Sequence, residues 1–193
     1  SGRKVVTLTG LSKSYGTTRV LDRLDLHIEK GERIVVTGKN GVGKSTLLRI
    51  VSGEDKNFSG ELRYGAHVSM GYFAQDHELS LHPGHTVIEE LEESAPTQQI
   101  PHLRDMLGAF LFQDDEILKK ISVLSGGEKS RISLLKLLLK PVNLLILDEP
   151  TNHLDIRSKD VLLNALKQYS GTIVFVSHDR YFIENLATKV VEL

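Results

Sequence analysis

The sequence predicts an α/β protein whose core is a parallel β-sheet flanked by helices. Three stretches carry that expectation. "NLLILDEP", residues 143–150, is an apolar run closed by two acids, the mark of a strand buried on both faces with its polar end at the carboxyl edge of a sheet. "GTIVFVSHDR", residues 171–180, repeats the design, and "VLLNALKQY", residues 161–169, reads as the helix between them. Strand, helix, strand with full burial implies parallel pairing. Ligands of such sheets sit at the carboxyl ends of the strands, where these acids and His178 fall.

The other elements follow in chain order. "KVVTLTGLSKSYG" and "RVLDRLDLHIE" alternate as strands, and "EKGE" turns into a third, "RIVVTG". A glycine-rich loop leads into a helix, "KSTLLRIVSG", that ends near Gly53. "SGELRYG" and "HVSMGYFAQD" read as two more short strands, and "HPGH", residues 82–85, as a turn. From about residue 86 to 140 the texture is that of a mostly helical insertion. "TVIEELEES" opens with a capping-box pattern, Thr86 to Glu89, and its "EELEE" charges read as a solvated face. "IPHLRDMLGAFLF" and "DDEILKKISVL" carry helical spacing. No internal repeat or low-complexity segment interrupts the pattern.

Composition narrows the classes of function. The chain has 193 residues, enough for one domain with a sizeable core, and its net charge of −1 argues against a general electrostatic grip on nucleic acid. It has no cysteine, which excludes disulfides and thiolate metal sites and fits a reducing, cytoplasmic setting. No apolar run is long enough for a membrane-spanning segment, since Lys136 interrupts the greasiest stretch, "ISLLKLLLK". Ser1-Gly2 reads as a cloning remnant, and "KVVEL" stops within an apparent strand, the expectation being a piece of a longer protein.

"GKNGVGKS", residues 38–45, matches the phosphate-binding pattern G-x-x-x-x-G-K-[ST] between a strand and a helix. Gly38, Asn40, Gly41 and Gly43 let backbone N–H groups converge on phosphate oxygens, with Thr46 following in the helix. Lys44 brings a cation to the β- and γ-phosphates, Ser45 offers a hydroxyl to Mg²⁺, and the helix start adds its dipole. Asp148 is placed to hold Mg²⁺ through water, and Glu149 to polarise an attacking water. No G-x-G-x-x-G follows a strand, which weakens a dinucleotide-binding reading. A second anion-holding helix start occurs in "LSGGEKS", residues 124–130: Ser125 fits an N-cap, Glu128 closes a capping box, and Gly126 and Gly127 bare the first turn. On physics alone it is equally an ordinary capped helix. Tyr15 reads as a core or surface tyrosine and His178 as a structural or surface histidine. Ser177-His178-Asp179 is not a catalytic triad, because neighbours along a strand point to opposite faces. The histidines and aspartates near 153–155 and 178–179 show no metal-ligand spacing.

Taken together, these motifs resemble the ATP-binding-cassette (ABC) ATPase domain. "GKNGVGKS" is similar to its Walker A, "LSGGE" to its signature, "LLILDEP" to its Walker B, "SHD" to its switch loop, Gln75 in "GYFAQD" to its glutamine loop and Asp155 in "NHLD" to its D-loop. The resemblance implies a P-loop NTPase of the ABC type, with a parallel-sheet core, an N-terminal antiparallel β subdomain and a helical subdomain. It implies ATP and Mg²⁺ as ligands, Tyr15 stacking on adenine, Gln75 sensing the nucleotide beside the metal, and Glu149 and His178 as the catalytic pair. It also implies head-to-tail pairing with a second ABC domain, so that Ser125, Gly126, Gly127 and Glu128 cover an ATP on the partner's P-loop and Asp155 reaches across the seam. "LSGGEKSR", "DEPTNHLD" and "VSHDRYFIE" further resemble the ABC-F subfamily, whose members join two ATPase domains without membrane domains and act mostly on ribosomes. No inserted arm lies between Gln75 and Leu124, so the chain resembles the second domain of such a tandem. Two other functions stay open: the motor subunit of an ABC transporter, which "NHLD" and Glu128 disfavour, and a nucleotide-binding module that dimerises but hardly hydrolyses.

Overall fold

A computed structural model describes residues 3–74 and 80–193. Gln75 lies outside the described residues. Strands β1 (Lys4–Tyr15) and β2 (Thr18–Glu29) form an antiparallel hairpin, and β3 (Arg33–Thr37) leads through the glycine loop into helix α1 (Lys44–Val51). Strand β4 (Ser59–Tyr64) pairs antiparallel with β1, giving a three-stranded sheet in the order β2-β1-β4. Its pairing is irregular at Gly10, whose N–H donates to Asp25 Oδ1 at 2.7 Å. A second sheet is wholly parallel: β5 (Met70–Phe73), β6 (Leu144–Asp148), β7 (Thr172–Val176), β3 and β8 (Lys189–Glu192), in the order β5-β6-β7-β3-β8.

The predicted parallel core is therefore present, and β6 and β7 are buried at every position. Val6, Leu8 and Ile28 of the first sheet meet Ile34, Val36, Ile146 and Val174 of the second, with Leu48 and Ile50 of α1, in one apolar cluster. The order β6-β7-β3 brings the polar ends of three adjacent strands to one edge. Lys13, a buried residue of β1, is held by Asp55 (2.9 Å) and by the Asn57 carbonyl. Hydrogen bonding from Lys13 holds the Asp55 carboxyl below its ordinary range.

The chain divides into two compact units. The first holds these sheets: residues up to Ala74, Val142–Pro150 and Tyr169–Leu193, including helix α6 (Arg180–Leu186). The second runs from Gln75 to Pro141 and takes in Thr151–Gln168. It contains α2 (Val87–Ser94), α3 (Leu103–Ala109), α4 (Gly126–Leu139) and α5 (Ile156–Gln168). Val87, Leu91, Leu103, Leu107, Phe112, Ile132 and Leu135 pack as its core.

Two expectations need correction here. "DDEILKKISVL" forms no α-helix, only short 3-10 turns at Glu116–Leu118 and Ile121–Val123. The Lys119 carbonyl accepts from Val87 N–H, and Ile121 N–H donates to the His85 carbonyl, so a neighbouring segment uses groups that a helix would have paired internally. The "EELEE" stretch is not a uniformly solvated face either. Glu89, Glu92 and Glu93 are exposed, but the Glu90 side chain is fully buried and meets Lys136 Nζ at 2.6 Å. The Lys136 that breaks the apolar run of α4 is thus the partner of a buried acid.

Candidate nucleotide site

The glycine loop leaves the carboxyl end of β3 with Gly38 at φ 147°, Gly41 at φ 82° and Gly43 at φ 104°. Gly43 is the N-cap of α1, and no side chain caps that end. A Cβ on Gly43 would stand 2.5 Å from Val20 Cγ1, and one on Gly38 would stand 2.9 Å from the Leu193 carbonyl oxygen. Both the dihedrals and the packing thus require glycine. Gly43→Ala is expected to cost about 1–3 kcal/mol through strain, read from urea denaturation; an unchanged midpoint would show that the loop tolerates a side chain.

Lys44 is buried, and its ammonium folds back onto the loop, donating to the Gly38 carbonyl at 2.6 Å and approaching the Lys39 carbonyl at 3.4 Å. Ser45 and Thr46 follow in the first turn of α1, which carries no acidic residue. Uncapped N–H groups, the helix dipole and a lysine cation therefore converge on one spot, an arrangement suited to phosphate.

At the neighbouring strand ends, Asp148 closes β6 with 2% exposure and Glu149 follows with 4%. Glu149 has φ 51°, unusual for a non-glycine residue, and its N–H donates to the Val176 carbonyl of β7 at 2.9 Å. That bond turns its carboxylate toward the end of β7, where Oε1 lies 3.0 Å from His178 Nε2 and Oε2 accepts from His178 N–H at 3.4 Å. Burial pushes the Glu149 carboxyl above its ordinary range, and the charge of Asp148 adds to the push, while His178 and Lys44 oppose it. Two nearly buried carboxylates side by side favour a cation. Ser45 and Asp148 offer hard oxygens of the kind Mg²⁺ takes, so the chemistry of these residues fits that ion.

The argument from strand alternation against a triad needs correction. Ser177, His178 and Asp179 lie beyond the end of β7, so strand alternation does not govern them. Asp179 is instead the N-cap of α6, accepting from Phe182 N–H at 3.0 Å, and Ser177 Oγ accepts from Asp179 N–H at 3.0 Å. Tyr15 is half-exposed at the end of β1, its hydroxyl 3.4 Å from Thr46 Oγ1 and from Arg49 Nη2. Hydrogen bonding to Thr46 and Arg49 lowers its phenol from the ordinary value.

In the helical unit, Ser125 caps α4 as its sequence predicts. Its Oγ accepts from Glu128 N–H at 3.2 Å, and Glu128 Oε1 accepts from Ser125 N–H at 3.0 Å. Burial raises the Glu128 carboxyl, but the Ser125 bonds together with the charges of Arg131 and Lys119 hold it low. The anion in this first turn is thereby used in the cap. Gly126 faces open space, whereas a Cβ on Gly127 would press on the His153 carbonyl at 3.0 Å. Asp155 has a local duty absent from the sequence reading: its Oδ1 accepts from Ser158 N–H at 2.8 Å at the start of α5. Hydrogen bonding from Ser158 lowers its carboxyl.

A family model described as ABC transporter matches residues 21–152, from β2 through the strand-end acids and just past them. The chain belongs to the ABC transporter family. Over its full length this ABC domain is 45% identical to the Putative ATP-binding protein YdiF of Bacillus subtilis (strain 168), covering 30% of that protein. It is 43% identical, again over its full length, to ABC transporter F family member 2 of Arabidopsis thaliana, covering 29% of it. The chain spans about 30% of the length of these relatives. Among solved structures, the RNase-L Inhibitor matches all of the chain at 25% identity and a TM-score of 0.85, with 37% of that protein covered. The ATP-binding subunit of an ABC transporter shares the fold, with a TM-score of 0.84 at 20% identity over 98% of this chain and 85% of that one. Among the described residues of the ABC domain no helix is long and apolar enough to cross a membrane.

Proposed function

We propose that this domain binds ATP on the Gly38–Thr46 loop and hydrolyses its γ-phosphate when a second ABC domain closes over it. The observation that carries this reading is the Glu149–His178 pair at the strand ends, on the sheet edge that also bears the glycine loop. Backbone N–H groups of Gly38, Asn40, Gly41 and Gly43 hold the phosphates, and Lys44 swings from the Gly38 carbonyl to their oxygens. Tyr15 packs on the adenine. Ser45, Asp148 and Gln75 would hold Mg²⁺, which would supply positive charge against the phosphate oxygens. Glu149 accepts a proton from the attacking water, and His178 keeps that carboxylate turned toward the phosphate.

Ser125, Gly126, Gly127 and Glu128 serve the partner's nucleotide, and Asp155 lies at the seam. One copy of the chain therefore carries half of each of two sites. Closing on ATP and opening after hydrolysis is the output, since the γ-phosphate contacts shared across the seam vanish with the product. In the cytoplasm, the full-length F-type protein uses the closed state to bind the ribosome, in translation control or protection from antibiotics. Likeness to F-type relatives supports this over transporter motor work.

The test is co-sedimentation of the full-length protein carrying Glu149→Gln with ribosomes. Pelleting that requires ATP is the expected result. Retained ATP binding without pelleting would overturn the ribosome reading and point to a membrane-protein partner.

A further inference from the structure

Apart from the residues assigned to ATP, the turn at residues 82–85 and the first turns of α2 bring two imidazoles and two carboxylates together. Nδ1 of His85 lies 2.8 Å from Glu90 Oε2 and 3.6 Å from Glu93 Oε2, and Nδ1 of His82 lies 3.2 and 3.4 Å from the same two oxygens. All of the ligand atoms fall within 4.8 Å of one another. Zinc bonds of about 2.0–2.1 Å in a tetrahedron place neighbouring ligand atoms about 3.3–3.4 Å apart. The measured separations of 2.8, 3.2, 3.4 and 3.6 Å bracket that edge length.

We propose that His82, His85, Glu90 and Glu93 form a binding site for a zinc-class divalent cation. Simple hydrogen bonding explains the arrangement less well. Each Nδ1 faces two carboxylate oxygens at once, and a single N–H aims at one. Glu90 Oε2 already accepts from His82 N–H at 3.2 Å, so two further imidazole donors crowd one oxygen. A cation at the centre satisfies all four groups together. Imidazole with carboxylate suits Zn²⁺ and disfavours Mg²⁺ or Ca²⁺.

The supporting shell is built as well. Lys136 of α4 holds Glu90 Oε1 at 2.6 Å, which leaves Oε2 turned to the imidazoles. The turn is itself fixed: Gly84 O accepts from Lys120 Nζ at 2.7 Å, and His85 O accepts from Ile121 N–H at 2.9 Å. His82 and Glu93 are exposed, so an ion can enter from solvent. The bound ion clasps this turn to α2, and through residues 120–121 it braces the segment that runs directly into Ser125.

The test is titration of the chain with Zn²⁺ by calorimetry, repeated with Co²⁺ to read the d–d absorption of a tetrahedral ion. One equivalent is expected to bind with Kd of about 10 μM or tighter. His82→Ala/His85→Ala, which spares the Glu90–Lys136 pair, should weaken binding by more than about 100-fold. Should that variant fail to fold, His82→Ala alone, at an exposed side chain, should weaken it by at least about tenfold. His178→Ala should bind as the parent does. No stoichiometric binding by the parent, or binding that survives loss of both histidines but not of His178, would overturn the proposal and leave the cluster a hydrogen-bonded clasp.

Discussion

Glu149→Gln in the paired, full-length protein is expected to hold ATP and release almost no phosphate. The amide keeps the shape of the carboxylate and can still accept from His178 N–H, but it cannot take a proton from water. Loss of such a base typically costs about 10²–10⁴-fold in rate. In the proposed site the nucleotide is held by the loop and Lys44, which the substitution leaves in place, so its affinity should stay within a few-fold. Phosphate release beside retained nucleotide on the purified protein checks both halves. Turnover within twofold of the parent would remove Glu149 from the role proposed for it.

Lys136→Met is expected to cause the largest loss of stability, about 3–5 kcal/mol, because it strands a buried carboxylate. Glu90 is fully buried, and Lys136 is its shortest contact. A whole domain is stable by only about 5–15 kcal/mol, so the variant sits near the edge of folding. The double variant Glu90→Leu/Lys136→Met removes both charges and should recover most of the loss. Urea denaturation in the presence of a chelator, which silences any bound metal, measures all three proteins. A loss below about 1 kcal/mol in the single variant would mean that the two imidazoles alone satisfy Glu90.

What was legible in the sequence was local or periodic. The capping boxes at Thr86 and Ser125 are i to i+3 chemistry, and both form. The runs at 144–148 and 172–176 are apolar throughout because both faces of those strands are covered, and both are buried strands. The glycine loop was readable because its backbone angles leave few other residues possible. What was not legible depends on partners distant in the chain. Nothing near Glu90 signals that Lys136 will neutralise it. Helical spacing in residues 114–124 loses to the bonds Lys119 and Ile121 make with Val87 and His85. "HPGH" is the turn expected, but the meeting of its histidines with Glu90 and Glu93 needs the direction in which α2 leaves that turn. The left-handed backbone of Glu149, which aims its carboxylate at His178, is likewise invisible in the letters "DEP".

The strand order has a consequence for biosynthesis. β3, which carries the glycine loop, is made well before both of its neighbours: Ile34 pairs with Val174 on one side and Lys189 on the other. At roughly 5–20 residues per second, ribosomal synthesis leaves β3 without either neighbour for roughly 7–30 seconds. During that interval an apolar strand with two open edges is available for wrong pairing, and holding it back falls to chaperones or to the early β1-β2 hairpin, whose partners are close in the chain. The same delay means that the strand leading into the glycine loop gains its two neighbours only after β7 and β8 have been made, so the loop is not held in its final place before they dock.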